Sequence, residues 1–192
     1  MLLLCIFFFS IFIQYVLAGT ELGISVTDDN YDCDYSRCDI LSAFASACAA
    51  AVSGPINLTI SSETDHPIRF SGTDATNLNC VGAQYRFVVE FQTPIEFEND
   101  AVLNNFEFVG DNSSDIVFYG ATTFKNLVIR DSKIKIAKSN SPTIFTDVSI
   151  SSSRIRVSYP SFVPYRVYLY DDTTFVVVGT LNMLADTLIQ AA

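Results

Sequence analysis

The chain has 192 residues, enough for one domain or two small ones. It carries 11 Lys and Arg against 21 Asp and Glu, and the net charge of −10 disfavours nucleic acid and anionic lipid surfaces as partners. Because only 17% of the residues are charged and 49% are hydrophobic, the composition excludes a disordered chain and a coiled coil.

Residues 1–18 have the composition of a secretory signal peptide. The run 2–13 is apolar apart from one serine, and Val16 and Ala18 supply the small residues that signal peptidase accepts before Gly19. No Lys or Arg precedes the run, so an uncleaved signal anchor is the alternative. We expect cleavage, which would give a secreted or cell-surface protein with no stable membrane span in the mature chain.

Four cysteines follow the signal segment, and two of them lie in a Cys- and Asp-rich stretch at residues 19–38. An even number in an oxidising compartment predicts two disulfides, for which three connectivities are open. The spacings do not match a zinc site. The candidates are Cys33, Cys38, Cys48 and Cys80.

A repeat of 21 residues runs through the second half of the chain. Three hexapeptides share the order apolar, any residue, Asn or Asp, apolar, any residue, apolar, and they occupy 103–108, 124–129 and 145–150. When the repeats are aligned, these hexapeptides form one column, and a second column of apolar-x-apolar pairs has nearly the same spacing. Upstream, both columns shift by the same six residues, which predicts a single insertion within residues 71–84.

Each apolar-x-apolar pair predicts a short strand with two side chains inside and one outside. Two such strands per repeat predict an all-β fold, a parallel β-helix of about six coils over residues 55–180. An antiparallel sandwich is the alternative, but the chain lacks Asn-Gly and Asp-Gly hairpin turns, and sandwich strands have no reason to keep a constant register. Asn105, Asn126 and Asp147 share a turn position, where such side chains tolerate left-handed backbone and can hydrogen-bond along the axis.

A short amphipathic helix over residues 39–54 is predicted to cap the first coil. Asp39 is a good N-cap, and one helical face is apolar. Cys48 on that face could bond Cys80 in the insertion, which would leave the other two cysteines to pair locally. The face consists of Ile40, Phe44, Ala47, Cys48 and Ala51.

The other end of the chain has a helix-forming composition at residues 181–192. This segment could form a cap over the last coil, since an open solenoid edge invites aggregation. The alternative is that the chain is a piece of a longer surface protein whose coils continue.

A helix followed by stacked coils, over residues 39–178, resembles the right-handed parallel β-helix, or pectin-lyase-like, superfamily. The Phe-x-Asn elements at 97–99 and 124–126 resemble the Phe-x-x-Asn repeats of polymorphic outer-membrane-type surface proteins, with one residue fewer and without the companion Gly-Gly motif. The first resemblance implies that an enzymatic member would cleave acidic polysaccharides with carboxylates, calcium and an Arg or Lys base. The second implies an adhesin-like surface role.

No residue pattern in the chain is typical of a catalytic or metal site. Glu96 and Glu107 take outward strand positions that are not acidic in the neighbouring copies, and His66 lacks a Gly-x-Ser-x-Gly partner. The calcium-loop spacing from Asp28 to Asp39 lacks the central Gly and the final Glu. We therefore predict no catalytic residue, cofactor or metal, and a small or degenerate polysaccharide lyase or hydrolase is the alternative.

Aromatic and basic side chains gather late in the chain, where rings could stack on sugars or make protein contacts. Sequons at Asn57 and Asn112 predict N-glycosylation. The sequence thus predicts a secreted or cell-surface solenoid that acts by binding a protein or carbohydrate ligand. The residues proposed for the binding patch are Arg156, Tyr159, Tyr165 and Tyr168.

Overall fold

The computed structural model describes residues 22–27, 32–33, 39–62, 67–71, 76–137, 142–158, 162–178 and 189–191. Within these ranges the chain forms one helix and sixteen strands. In chain order they are β1 (Leu22–Thr27), β2 (Asp32–Cys33), α1 (Asp39–Ala50), β3 (Ile56–Ser61), β4 (Ile68–Phe70), β5 (Thr76–Asn79), β6 (Phe87–Phe91), β7 (Ile95–Phe97), β8 (Ala101–Val109), β9 (Asp115–Phe118), β10 (Thr122–Arg130), β11 (Lys133–Ile136), β12 (Thr143–Ser151), β13 (Arg154–Val157), β14 (Phe162–Tyr170), β15 (Thr174–Val177) and β16 (Ile189–Ala191).

The strands form a parallel β-solenoid of about five turns, close to the six coils expected from the repeat. The nine-stranded sheet has the order β1-β3-β6-β8-β10-β12-β14-β16, with β5 beside β8. The seven-stranded sheet has the order β15-β13-β11-β9-β7-β4-β2. Strands that are adjacent in a sheet come from successive coils and run parallel, which confirms the β-helix and excludes the sandwich.

The strand register places equivalent residues of successive repeats next to each other in the core. On β10 and β12, Phe124 pairs with Phe145, so positions 21 residues apart lie side by side. Inward side chains therefore stack in columns, as for Phe70, Phe97 and Phe118, whose successive ring centroids are 4.7 and 4.4 Å apart. Burial of each such ring contributes about 1.5–3 kcal/mol, which explains why the apolar-x-apolar spacing specifies the fold.

Left-handed corners bend the long strands at the predicted Asn/Asp position. Asn105, Asn126 and Asp147 have φ values of 63°, 48° and 56°. The Asn126 amide donates to Oδ1 of Asn105 at 2.9 Å, which confirms the side-chain ladder along the axis. In the next coil Arg166 takes this corner with φ 52° and binds the carboxylate of Asp147 instead.

The six-residue insertion lies at the same corner, one coil earlier. The first half of β8 pairs with β5 up to Asn104, and the second half pairs with β6 from Glu107. Residues 80–86 connect β5 to β6, whereas β8 turns this corner with Asn105 alone. The insertion has seven residues where β8 has one, so it adds six residues. This is the shift found in both columns of the sequence repeat. Cys80 belongs to this insertion, as predicted, but the insertion ends at Arg86, two residues beyond the predicted window 71–84.

Helix α1 has the predicted apolar face, on which Ile40, Phe44 and Ala47 are buried. The Phe44 ring lies 5.2 Å from that of Phe87. Cys48 forms a disulfide with Cys80, with 5.4 Å between the Cα atoms, so the predicted link between helix and insertion is confirmed.

Helix α1 lies near the N-terminal end of the solenoid, as predicted, but two strands precede it in the chain. β1 precedes it in the chain and pairs with β3, and β2 pairs with β4. Strands of the solenoid therefore occur from Leu22 onward, within the Cys- and Asp-rich segment 19–38 and upstream of residue 55, where the β-helix was predicted to begin. The backbone edge of β3 bonds a strand because its N–H and C=O groups need partners, and α1 packs beside that pair.

The far end also differs from expectation at residues 189–191. These residues form β16, which pairs with β14 in parallel, although the segment 181–192, expected to be a cap or a truncated end, has a helix-forming composition. The free edge of β14 outweighs the local helix propensity. Several other predictions fall outside the described residues: the signal segment 1–18, Cys38 and its pairing with Cys33, His66, Tyr159, residues 181–188, and most of the calcium-loop spacing.

Candidate functional site

Outward charges on most coils are arranged in opposite-sign pairs across neighbouring strands. Arg69 binds Glu96 with 2.9 Å between Nε and Oε2, and Arg86 binds Glu107 at 2.6 Å. Arg130 contacts the other oxygen of Glu107. The register places Arg69 directly opposite Glu96, where opposite charges stabilise the sheet, whereas Arg86 and Arg130 reach Glu107 diagonally from two residues away in register. Glu96 and Glu107, which the sequence places at outward strand positions, are therefore ion-paired.

Strands β11 and β13 depart from this pairing of opposite charges. The register places Lys133 opposite Arg154 and Lys135 opposite Arg156, so cation faces cation on both rows. We call these four residues the cationic face. Their Cα positions are about 4.8 Å apart across the strands and about 6.6 Å apart along each strand.

One carboxylate partly neutralises the cationic face. Asp115 on β9 accepts from Lys133 at 2.8 Å and also contacts Lys135. These bonds, first that of Lys133 and then that of Lys135, hold the pKa of Asp115 below its usual value. Arg154 and Arg156 are exposed, and among the described residues neither has a carboxylate within 4 Å.

A polar cleft of about 400 Å³ lies at one end of the cationic face, where the coils turn at left-handed residues. The Ser153 hydroxyl donates to the Ser151 carbonyl at 2.6 Å and accepts from the Ser132 amide at 3.1 Å, which fixes the turn. The lining combines two cations with a carboxylate, an amide and hydroxyls, so it can bind an anion and neighbouring hydroxyl groups together. The lining residues are Asn112, Lys133, Ser152, Ser153, Arg154 and Asp172.

The charges of the chain are unevenly distributed along the sequence. Residues 130–166 contain seven of the 11 cations and only two of the 21 acids, a local excess of five positive charges. Sequence reasoning placed Arg154 and Arg156 near the aromatic patch, selected Arg156 for it, and assigned no binding role to Lys133 and Lys135. The signal was present, because Lys-x-Lys at 133–135 and Arg-x-Arg at 154–156 are 21 residues apart.

The predicted binding patch divides between the two sheets. Arg156 lies on β13 in the seven-stranded sheet, whereas Tyr165 and Tyr168 lie on β14 in the nine-stranded sheet. Beside the tyrosines, the Arg166 guanidinium lies 4.8 Å from the Tyr165 ring centroid. Its hydrogen bond to Asp147 raises the pKa of Arg166. These side chains therefore form a second group, separate from the cationic face.

The two sequons have different surroundings. Asn57 is half-buried on β3, the second strand of its sheet, and its buried Oδ1 has no hydrogen-bond partner among the described residues. Asn112 is exposed at the left-handed turn and lines the polar cleft. Among the described residues, no three His, Cys, Asp or Glu side chains come together as metal ligands would.

Comparison with protein-family models, with curated proteins and with solved structures finds no match to this chain. In the part of the chain that the structure describes, no helix has the length and apolar character needed to cross a membrane. The geometry shows a parallel β-solenoid of about five turns.

Proposed function

We propose that this chain is a secreted or cell-surface β-solenoid protein that acts by binding. The observation that carries the proposal is the cationic face. Like charges directly opposite each other destabilise a sheet, whereas Arg69, Arg86 and Arg130 elsewhere on the solenoid are each paired with a glutamate. A chain with 21 acids and only 11 cations has ample acids to balance this face, yet among the described residues no carboxylate pairs with Arg154 or Arg156. Such local costs are typical of functional surfaces.

The extracellular location rests on separate features. The apolar segment 1–18 resembles a signal peptide, and the Cys48–Cys80 disulfide suits an oxidising compartment. The exposed sequon at Asn112 is compatible with glycosylation there. With its parallel coils the chain resembles the pectin-lyase-like superfamily, and an adhesin-like role within that fold is our proposal.

A second candidate is a small polysaccharide lyase or hydrolase. It is favoured by the polar cleft, which brings the carboxylate of Asp172 near two possible bases, Lys133 and Arg154. Carboxylates beside a positively charged group can serve acid–base chemistry on a sugar. The two candidates differ in their products, because only the enzyme would shorten a polysaccharide.

The experiment follows the full chain in its native cells. Medium and membrane fractions are collected, and the intact mass is measured before and after deglycosylation. A mature species beginning at Gly19 that binds to cell surfaces, without shortening added polysaccharides, is the expected result. Retention inside the cell, or no binding to any cell surface, would overturn the proposal, and release of oligosaccharides would favour the enzyme.

A further inference from the structure

We infer that the ligand of the cationic face is a sulfated polysaccharide. The inference rests on the proposed binding function and names its ligand class. It starts from the density of charge: the four cations on β11 and β13 and the one carboxylate of Asp115 on β9 leave three net positive charges. The Cα positions of the four cations enclose an area of only about 4.8 by 6.6 Å.

The density of charge determines how many anionic groups the ligand must present. A sugar ring is about as long as one strand spacing, so one or two rings cover the cationic face. A neutral glycan offers no charge there, and a polyuronate offers one carboxylate per ring. Sulfate esters can place two charges on one ring, so two rings can supply the three charges that match the net cations, whereas two uronate rings supply only two. Arginine also binds tetrahedral oxyanions through two parallel N–H bonds.

The polar cleft indicates a carbohydrate instead of a simple polyanion. Lys133 and Arg154 can hold an anionic group, while Asp172 needs hydrogen-bond donors from the ligand. Sugar hydroxyls supply those donors, and a polyphosphate does not. The amide of Asn112 and the hydroxyl of Ser152 extend the same polar lining.

The distribution of charge disfavours an anionic membrane as the ligand. The cationic face is narrow, and the chain as a whole carries a net charge of −10. On the same sheet, Glu96 lies outward two coils away from Lys135. A broad lipid surface would bring such carboxylates against anionic headgroups, whereas a single polymer strand contacts β11 and β13 alone.

The first test compares four probes on the purified full chain by isothermal titration: dextran sulfate, unsulfated dextran, polygalacturonate, and vesicles containing phosphatidylserine. We expect binding to dextran sulfate, none to dextran, and at least about tenfold weaker binding to polygalacturonate and vesicles. The logarithm of the affinity should fall with the logarithm of salt concentration with a slope near −3, by analogy with the release of counterions from nucleic acids. Tighter binding to polygalacturonate or to vesicles would overturn the inference.

The second test uses variants with matched changes of charge. Arg154→Gln/Arg156→Gln should lower the affinity for dextran sulfate about tenfold at low salt. Arg69→Gln/Lys125→Gln removes the same charge from exposed sites elsewhere and should leave the affinity nearly unchanged. Asp115→Asn should instead raise the affinity about threefold, because it frees Lys133 and Lys135. Equal losses in both double variants, or no rise for Asp115→Asn, would refute the assignment.

Failure of the inference can be distinguished from failure of the proposed function. If wild-type protein binds cell surfaces and Arg154→Gln/Arg156→Gln binds equally well, the protein is a binder whose ligand lies elsewhere, and the inference is wrong. If the wild type binds neither cells nor dextran sulfate, both are wrong. If sulfatase treatment of the cells and the double variant abolish binding alike, both are supported.

Discussion

Removal of the Cys48–Cys80 disulfide should lower the free energy of unfolding by about 3.7 kcal/mol at 25 °C. The bridge closes a loop with a sequence separation of 32 residues. In the chain-entropy relation, a loop of that length restricts the unfolded chain by about 12 cal/mol/K, which gives this value. The perturbation is Cys48→Ala/Cys80→Ala, which removes both sulfur atoms and leaves no free thiol at either site.

The folded state retains other links between the helix and the insertion. The amides of Gln84 and Tyr85 both donate to the carbonyl of Ala51, at 3.2 and 3.1 Å. Because these bonds remain, we expect the variant to fold, with the main loss arising from the less restricted unfolded chain. Urea unfolding followed by far-UV circular dichroism measures the loss, and hydrogen exchange shows whether β5 and α1 open before the remaining coils.

A matched comparison comes from the two remaining cysteines. If Cys33 and Cys38 pair, their loop of about five residues would contribute about 2 kcal/mol by the same relation. Cys33→Ala/Cys38→Ala should therefore cost less than Cys48→Ala/Cys80→Ala. A loss below about 1 kcal/mol for the Cys48/Cys80 variant, or a larger loss for the other pair, would refute the entropic reasoning. Peptide mapping that finds Cys33 joined to Cys80 would refute the pairing itself.

Three further substitutions test the solenoid. Gly120→Ala should destabilise the protein by about 1–3 kcal/mol, because the added Cβ would lie 2.3 Å from the backbone of the preceding coil. The control Gly82→Ala should cost about 1 kcal/mol, because the added Cβ has open space but the backbone has φ 95°. A smaller loss for Gly120→Ala in thermal unfolding would contradict this tight packing. Asn126→Ala should cost about 1 kcal/mol more than Asn126→Gly in urea unfolding, because only glycine adopts φ 48° without strain; equal losses would mean that the ladder bond alone matters. Asp115 has a lowered pKa in the folded state, so it contributes up to about 1 kcal/mol at neutral pH, and this contribution is lost as the pH falls below its unfolded value of about 3.9. The difference in stability between wild type and Asp115→Asn should therefore be present at pH 7 and vanish in acid; a difference that persists at pH 2 would contradict the ion pair.

The local pattern of the sequence was sufficient to predict the parallel coils. Alternation of apolar residues is a property of each strand, and the 21-residue spacing places equivalent residues of successive coils side by side. The same regularity located the left-handed corners and the insertion, since a six-residue shift common to both columns has one simple cause. The helix face placed Cys48 on the side that contacts Cys80, so this disulfide was also predictable.

The edges and the site depended on tertiary pairing. Whether residues 22–27 and 189–191 form strands is decided by the free edges of β3 and β14, which are distant in sequence, and not by their own composition. Asp115 meets Lys133 at a separation of 18 residues, because five residues form the turn after β8 and only two form the next one. The sequence by itself determined the repeat, the core and the rows of like charge. Only the tertiary structure decided which outward charges are neutralised and which stay unpaired, because pairing depends on the length of each turn between the strands.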